Sequence, residues 1–202
     1  MPTEGEAHKT GHYAPNMAEG RKSKPRSRPT RPIGLTGEGS PAKPNSPPTK
    51  HDLGWFISAP LSNRLYQKSA LGKPIDGGII LTEEEIMFCH WHRHVPLAEG
   101  WVEERLSEDS NFVYKSVAYD VVRSAGEKVV PVDGKWFRWS RESHPNKGDA
   151  EAEVRWSLVK DDFDIDELLD WTKSLSENGM KAEIAIVDDE MDVTMYRLSI
   201  ID

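Results

Sequence analysis

Four carboxylates are crowded into five consecutive residues near the C-terminal end of the chain, at Asp188, Asp189, Glu190 and Asp192. Apolar segments precede and follow them, so we predict a turn between two strands. Like charges at this density repel one another unless positive charge lies opposite. Two interpretations are open: a solvated hairpin tip, or a loop that docks against a positively charged partner.

His90, His92 and His94 form a second group with possible chemistry. His90 and His94 lie one turn apart on a predicted helix, which is a usual spacing for two metal ligands. No carboxylate at a ligand spacing completes the set, and Arg93 would oppose a cation. We therefore interpret these histidines as a polar helix end, and we expect no metal and no other cofactor.

The first 50 residues differ in composition from the rest of the chain. They contain nine of the 14 prolines, and nine Lys and Arg against four Glu, a formal charge of +5. Residues 51–202 contain 17 basic and 30 acidic side chains, a formal charge of −13. Because residues 1–50 have few large apolar side chains to offset the entropy of ordering, we predict a disordered Pro-rich basic tail. The Arg/Lys run at 21–28 either solubilises the protein or binds RNA phosphates.

Membrane and redox signals are weak in this sequence. It contains no apolar run of about 18 residues that would span a membrane, and the N-terminal segment lacks the apolar core of a secretory signal. Cys89 is the only cysteine, so neither an internal disulfide nor a Cys-based zinc site can form. We expect a soluble cytoplasmic protein without membrane contact.

Capping residues and apolar spacing predict three helices. Their N-caps are predicted at Thr82 (with Glu85), at Ser110 or Asn111, and at Asp161 or Asp162. Their ends are predicted before Pro96, at Gly126 and at Asn178-Gly179. Their inner faces are predicted to be Ile86, Cys89 and His90; Val113, Val117 and Val121; and Ile165, Leu168, Leu169, Thr172 and Leu175.

β-Branched and apolar segments predict the strands. They lie at 55–57, 79–81, 129–132, 135–139, 154–159, 182–187 and 193–201. Between 53 and 81, frequent Gly and Pro favour short strands and turns over a long helix. The order of elements predicts a mixed α/β (α+β) fold. We expect an α+β domain at 51–108 and an α/β domain at 109–202 with helices packed on a mixed sheet.

Five blocks together form a family pattern. In the N-terminal part they are 62–68, 71–74 and 77–85, which read SNRLYQK, LGKP and GGIILTEEE. Later blocks are a helical pattern at 112–126 and the hairpin at 185–199. In this order they resemble the archaeal tRNA-splicing endonuclease (tRNA-intron endonuclease) family, in its N-terminal domain, the first helix of its nuclease domain and its C-terminal hairpin.

The resemblance implies an assembly that removes introns from precursor tRNA at bulge-helix-bulge sites, without a metal. In that family the 2′-hydroxyl of the RNA attacks, and the products are a 2′,3′-cyclic phosphate and a 5′-hydroxyl. A tyrosine accepts the hydroxyl proton, a histidine protonates the leaving oxygen, and a lysine lies beside the charge that develops on phosphorus.

This chain departs from the family at the tyrosine and histidine positions. The strand that should end in tyrosine ends in Trp139 and Ser140, and neither side chain can replace a phenolate. The strand that should begin with histidine has no imidazole. Its candidate positions are Ala152, Glu153 and Val154.

The lysine position corresponds to Met180 or Lys181. The nearest histidine is His144, in the polar insert before the strand. We therefore expect no catalytic residue in this chain, with His144 and Lys181 as the nearest candidates. The resemblance thus implies a structural subunit, and whether the chain is itself an enzyme stays open.

In the resembled family, C-terminal strands meet across a dimer and an acidic loop of one subunit enters a basic groove of another. The implied docking loop is the acidic turn already described. The implied dimer strand contains Val193, Met195, Tyr196 and Leu198. We expect a hetero-oligomer with a catalytic homologue, or a homo-oligomer, acting on precursor tRNA.

Two alternatives stay open. One is an active endonuclease subunit in which His144, Lys181 and a displaced tyrosine such as Tyr196 rebuild the site. The other is an adaptor that has kept the fold and does not bind RNA.

Overall fold

The computed structural model describes residues 47–124 and 126–200, which contain five helices and nine strands in two sheets. The helices are α1 (Leu61–Ser69), α2 (Glu83–Arg93), α3 (Trp101–Glu108), α4 (Phe112–Ser124) and α5 (Ile165–Glu177). The strands are β1 (Thr49–His51), β2 (Gly54–Ser58), β3 (Lys73–Ile75), β4 (Gly78–Leu81), β5 (Lys128–Val132), β6 (Lys135–Trp139), β7 (Ala152–Leu158), β8 (Lys181–Val187) and β9 (Val193–Leu198). The mixed α/β fold is confirmed. Positions 1–46 of the predicted tail lie outside the described residues.

The first sheet has the strand order β1-β2-β4-β3, and all its pairs are antiparallel. Helix α2 packs on it and begins with the predicted capping box. The Thr82 hydroxyl accepts the Glu85 N–H at 3.4 Å, and the Glu85 carboxylate accepts the Thr82 N–H at 3.0 Å. These reciprocal bonds satisfy two N–H groups that the helix start would otherwise leave free.

The prediction that His90 lies on the inner face of α2 is wrong. Its side chain is exposed, and its Nδ1 lies 2.9 Å from the Val95 carbonyl oxygen just beyond the helix end. Ile86 and Cys89 are fully buried, as predicted. Residues 90–94 are exposed or half-buried, and His94 caps the helix in the left-handed conformation with a φ of 54°.

Helix α1 lies where the sequence predicted only short strands and turns. Gly and Pro flank this helix, at Pro60 and Gly72, and do not interrupt it. Ala70 ends it in the left-handed conformation with a φ of 50°, and its N–H donates to the Tyr66 carbonyl. Buried Leu65 anchors the helix in the core. Helix α3 is a second helix that the capping and spacing patterns missed.

The second sheet has the strand order β5-β6-β7-β8-β9. Strands β7 and β8 are parallel and α5 connects them, whereas every other neighbouring pair is antiparallel. A parallel pair requires a long crossover, which α5 supplies. The strand predictions for this region are confirmed, except that β9 ends at Leu198 and not at 201. The topology places β9 at one edge of the sheet.

The two faces of this sheet carry different helices. On the α4 face, Trp136, Val154 and Ala185 join the main core with α4. On the α5 face, Ala182 and Leu198 pack with α5 in a smaller cluster. Successive side chains alternate between these faces along each strand, so a residue's position in its strand assigns it to one helix or the other.

The predicted inner face of α4 is confirmed only at Val113, which packs against the main core. Val113 and Val117 are half-buried and Val121 is 37% exposed, whereas Phe112 and Tyr119 are fully buried. The larger aromatic side chains fill the core and make edge-to-face contacts there, so they set the rotation of the helix. The predicted end at Gly126 is confirmed, since its N–H donates to the Arg123 carbonyl with a φ of 85°.

The predicted N-cap of α5 is also wrong. Asp164, and not Asp161 or Asp162, caps the helix by accepting the Glu167 N–H at 3.1 Å. Asp161 instead closes the turn after β7, where its carboxylate accepts the Leu158 N–H at 2.7 Å.

Part of the predicted inner face of α5 is exposed. Thr172 and Leu175 are buried, but Ile165 and Leu169 are 64% and 51% exposed. Trp171, which the prediction omitted, takes their place against the sheet. The predicted end at Asn178 is confirmed by the C-cap there.

The main core contains side chains from both parts of the chain. Leu81 and Ile86 belong to the same buried cluster as Trp136 and Val154. The boundary between 51–108 and 109–202 stays a prediction.

Glu85 is a fully buried carboxylate at the start of α2. Besides the Thr82 N–H, it accepts the Gly72 N–H at 2.8 Å. Burial raises the pKa of Glu85 to about 7, although both N–H bonds and the Arg123 charge act in the opposite direction. The ordinary pKa of a glutamate is 4.5. At pH values between 4.5 and about 7, Glu85 is therefore protonated in the folded protein and ionised in the unfolded chain.

We predict that the free energy of unfolding falls as pH rises from about 4.5 to 7, by about 3 kcal/mol from Glu85 alone. Glu85→Gln removes this titration and should flatten the curve. Urea unfolding at a series of pH values measures the difference. Parallel pH profiles for the wild type and the variant would contradict the assignment.

Candidate functional site

The terminal hairpin of β8 and β9 is the candidate docking site. Its strands pair from Ala182 opposite Leu198 to Val187 opposite Val193. β8 is also paired with β7 on its other side, whereas β9 has no further neighbour in the described sheet. The hairpin therefore has a fixed inner strand and an available outer edge.

Asp188 differs in role from the other three acids of the turn. Its carboxylate accepts the N–H groups of Glu190 and Asp192, each at 2.9 Å, and so closes the turn. Met191 adopts the left-handed conformation with a φ of 65°. Asp189 is exposed, as are Glu190 and Asp192, and none of the three forms an ion pair within residues 47–124 and 126–200. These three carboxylates are available to a partner.

The side chains predicted as a dimer strand are unequally exposed. Val193 and Leu198 are half-buried at the two ends of β9. Met195 and Tyr196, between them, are 38% and 50% exposed. They point to opposite faces of the sheet because they are consecutive in the strand. The edge strand thus presents an apolar side chain on each face.

An ionic network that sequence reasoning missed fixes β9 to the sheet. Arg138 on β6 donates to both carboxylate oxygens of Glu183 on β8, each at 2.8 Å, and also contacts Glu127. Arg197 on β9 donates to Glu183 at 3.0 and 3.2 Å. Burial opposes ionisation of Glu183, but the hydrogen bonds and charges of the two arginines outweigh it and lower its pKa. No short-range sequence signal joins these residues, because they come from three strands.

The network borders a cavity of about 370 Å³ beside β9, on the α4 face. Its lining also includes Val121, Met195 and Tyr196, the last two on the edge strand, so apolar and charged groups meet there. The charged groups around the cavity pair with one another. The apolar side chains are therefore the part of its lining that can contact another molecule.

We predict that Glu183→Gln lowers the free energy of unfolding by about 3 kcal/mol, because it leaves the buried Arg138 without its bidentate partner. Arg197→Gln is the matched control: its side chain is 59% exposed, so the loss should stay below about 1 kcal/mol. Chemical denaturation at neutral pH measures both. Equal losses for the two variants would contradict a buried network centred on Glu183.

The position resembling the family's tyrosine is a buried packing position. Trp139 is 9% exposed, and its indole N–H donates to the Gly148 carbonyl at 2.9 Å. The neighbouring Ser140 hydroxyl lies 2.9 Å from that of Ser143. Both side chains hold the insert between β6 and β7, and neither supplies an acidic hydroxyl.

The positions resembling the family's histidine lie inside the sheet. Ala152 and Val154 are at most 1% exposed on β7. Glu153 is buried between strand and helix, where it accepts the Trp171 indole N–H at 2.9 Å and lies 3.5 Å from the Lys135 ammonium. Ala152 and Val154 have no ionisable group. The Glu153 carboxylate is already engaged by the Trp171 indole N–H and the Lys135 ammonium, so none of the three side chains replaces an imidazolium.

His144 is held in the insert by two backbone groups. Its Nε2 lies 3.1 Å from the Tyr66 carbonyl oxygen, and its Nδ1 accepts the Asn146 N–H at 3.3 Å. Both ring nitrogens therefore contact backbone groups of the protein itself. Tyr66 also packs edge-to-face on the ring and donates its hydroxyl to the Asn146 side chain at 2.6 Å. This geometry is that of a loop anchor.

Lys181 is the exposed first residue of β8, two residues before Glu183 and therefore on the α4 face. Tyr196 lies opposite Ile184, on the α5 face. The structure thus places Lys181 and Tyr196 on opposite faces of one sheet, while the His144 ring contacts Tyr66. The arrangement required for a rebuilt active site is not assembled by these three residues.

The histidines at the end of α2 have separate partners. The His92 ring contacts Asp120 on α4 at 2.5 Å, whereas His90 contacts the Val95 carbonyl. Within the described ranges, no group of three His, Cys, Asp or Glu side chains has a geometry that could hold a metal ion. The histidines tie the end of α2 to α4 and to the following loop.

Within residues 47–124 and 126–200, none of the helices has the length and apolar content needed to cross a membrane. No protein-family model matches the chain, and no curated protein matches it.

Proposed function

We propose that this chain is a non-catalytic subunit of a tRNA-splicing endonuclease. The assembly removes introns from precursor tRNA at bulge-helix-bulge sites in the cytoplasm and leaves a 2′,3′-cyclic phosphate and a 5′-hydroxyl. A homologous partner subunit supplies the tyrosine, histidine and lysine. The observation that carries this proposal is the burial of Trp139, Ala152 and Val154 at the positions where the resembled family has its base and acid.

The chemistry explains why such positions cannot serve a nuclease. Cleavage needs one group that removes the 2′-hydroxyl proton and another that protonates the 5′-oxygen, both within hydrogen-bond reach of RNA. A buried indole and buried aliphatic side chains do neither. The nearest imidazole, His144, uses both ring nitrogens on the protein's own backbone. The geometry of His144 favours a structural subunit over an active subunit with displaced catalytic residues.

The hairpin supports a positioning role for this subunit. β9 offers an unpaired strand edge with Met195 and Tyr196 exposed, and the adjacent turn offers three outward carboxylates. A strand edge and its side chains provide contact area, while charge complementarity fixes orientation and rate of association. The partner surface at the turn is therefore basic.

We predict that the purified chain alone does not cut a bulge-helix-bulge RNA in EDTA, because it lacks a base and an acid. Its complex with a homologue that carries the three catalytic side chains should cut. His144→Ala in this chain should leave the rate of the complex within about twofold of the wild type, since His144 only anchors the insert. EDTA-resistant cutting by the chain alone, abolished by His144→Ala, would instead establish the active-subunit alternative.

We predict that the triple variant Asp189→Asn, Glu190→Gln and Asp192→Asn loses copurification with the catalytic homologue at physiological salt. Asp188 is left unchanged because it closes the turn, so the variant alters charge without altering the backbone. The matched control is Glu99→Gln, Glu103→Gln and Glu104→Gln, three exposed residues at and before the start of α3, which changes charge by the same amount away from the turn. Copurification and cleavage that survive the first variant would refute docking through the turn.

The adaptor alternative predicts a different composition of the assembly. If the copurified complex contains no intron-bearing tRNA and does not bind one, the chain is an adaptor that has the fold but does not act on RNA. Measuring bound RNA in the same preparation separates this outcome from the splicing role.

A further inference from the structure

Helix α5 leaves an apolar side uncovered. Ile165 and Leu169 lie one turn apart on it and are 64% and 51% exposed, although Leu175 on the same helix is buried. Helix α5 packs on the sheet through other side chains, so this exposed apolar pair is available for contact with another molecule. Their position relative to β9 decides what that contact is.

The contacts of α5 with β7 fix its orientation. Arg155 on β7 forms an ion pair with Glu167 at 2.7 Å and lies over the Trp171 ring at 4.3 Å. The side of α5 that carries Glu167 and Trp171 therefore faces β7. The buried stripe of Thr172 and Leu175 faces the sheet at β8. Because a helix turns by about 100° per residue, Ile165 and Leu169 lie on the flank opposite Glu167, which is the β9 side.

Tyr196 completes this surface. It lies on β9 opposite Ile184, so it projects on the α5 face, and it is 50% exposed. Ile165, Leu169 and Tyr196 together are called the α5–β9 face. Through Tyr196 the face includes the edge strand of the docking hairpin.

The surroundings of the α5–β9 face are strongly acidic. Segments 159–170 and 188–192 contain ten carboxylates and one lysine, Lys160, a formal charge of −9. Both segments lie at the same end of the sheet, because Leu158 and Val187 are paired there. In the described ranges only Glu167 among these ten carboxylates forms an ion pair, with Arg155.

We infer that the α5–β9 face is a second contact surface for the catalytic partner subunit, and that its counterpart is an apolar surface surrounded by Lys and Arg. This inference rests on the proposed function and extends the contact beyond the acidic turn. Burial of three large side chains favours association. Carboxylates around them lose water on binding, which is unfavourable unless cations pair with them.

The same charge excludes two other occupants. An RNA backbone is a polyanion and is repelled by this end of the sheet. A second copy of the chain would present like charge to like charge. A basic partner protein fits both the apolar and the charged parts of the surface.

The test compares two double variants in the complex with the catalytic homologue. Ile165→Ser/Leu169→Ser removes the helical part of the surface and leaves the acidic turn and β9 unchanged. Leu53→Ser/Val132→Ser is the matched control, since these side chains are 68% and 43% exposed in other parts of the fold. Circular dichroism verifies that both variants fold. Isothermal titration calorimetry at physiological salt then measures the Kd of each.

We expect the Kd to rise about tenfold for the first variant and less than about twofold for the control. A rise no larger than that of the control overturns the inference while leaving the proposed function standing. If the wild-type chain does not bind the homologue at all, the proposed function fails and the inference falls with it. Sedimentation velocity on the chain alone adds a further outcome: loss of self-association in the first variant would assign the face to a second copy and overturn the inference.

Discussion

The position of β8 between β7 and β9 is the constraint on which the rest of the structure depends. Its parallel pairing with β7 requires α5 as a crossover, and its antiparallel pairing with β9 makes β9 the edge of the sheet. The same pairing brings the start of α5 and the acidic turn to one end of the sheet. A free strand edge, an exposed apolar surface and a dense negative charge therefore adjoin one another as a consequence of one strand order.

Glu183 on β8 shows how this arrangement is stabilised. Its carboxylate joins Arg138 on β6 and Arg197 on β9, so one buried charge holds three strands in register. Replacing a whole buried ionic network by well-packed apolar side chains is often neutral for stability, but removing one partner leaves a charge without compensation. The hairpin is therefore a rigid platform. Rigidity at a docking surface lowers the entropy lost on binding.

The sequence predicted those elements whose formation depends on residues close together in the chain. The capping box at Thr82 and Glu85, the turn after Val187 and the strands of the second sheet were all predictable. The rotation of α4 and α5 was not, because it is set by which aromatic side chains the core accepts: Tyr119 and Trp171 displaced the valine and leucine stripes that spacing favoured.

The candidate site also has features that the sequence predicts and features that it does not. The acidic turn and the apolar strand were visible as composition, but the separate role of Asp188 depends on hydrogen bonds to two backbone N–H groups. The anchoring of His144 on Tyr66 links residues 78 positions apart and has no local signature. Sequence alone also could not place Ile165 and Leu169 beside β9, since that requires the orientation of α5 over the sheet.

The most direct test of the central claim is single-turnover cleavage of a bulge-helix-bulge RNA, in EDTA, by the complex whose partner subunit has lost its catalytic histidine. If this chain only positions the partner, no proton donor remains for the leaving oxygen, and the rate should fall to the background level. Cleavage that continues at the wild-type rate would show that this chain supplies a catalytic group, and would contradict the account.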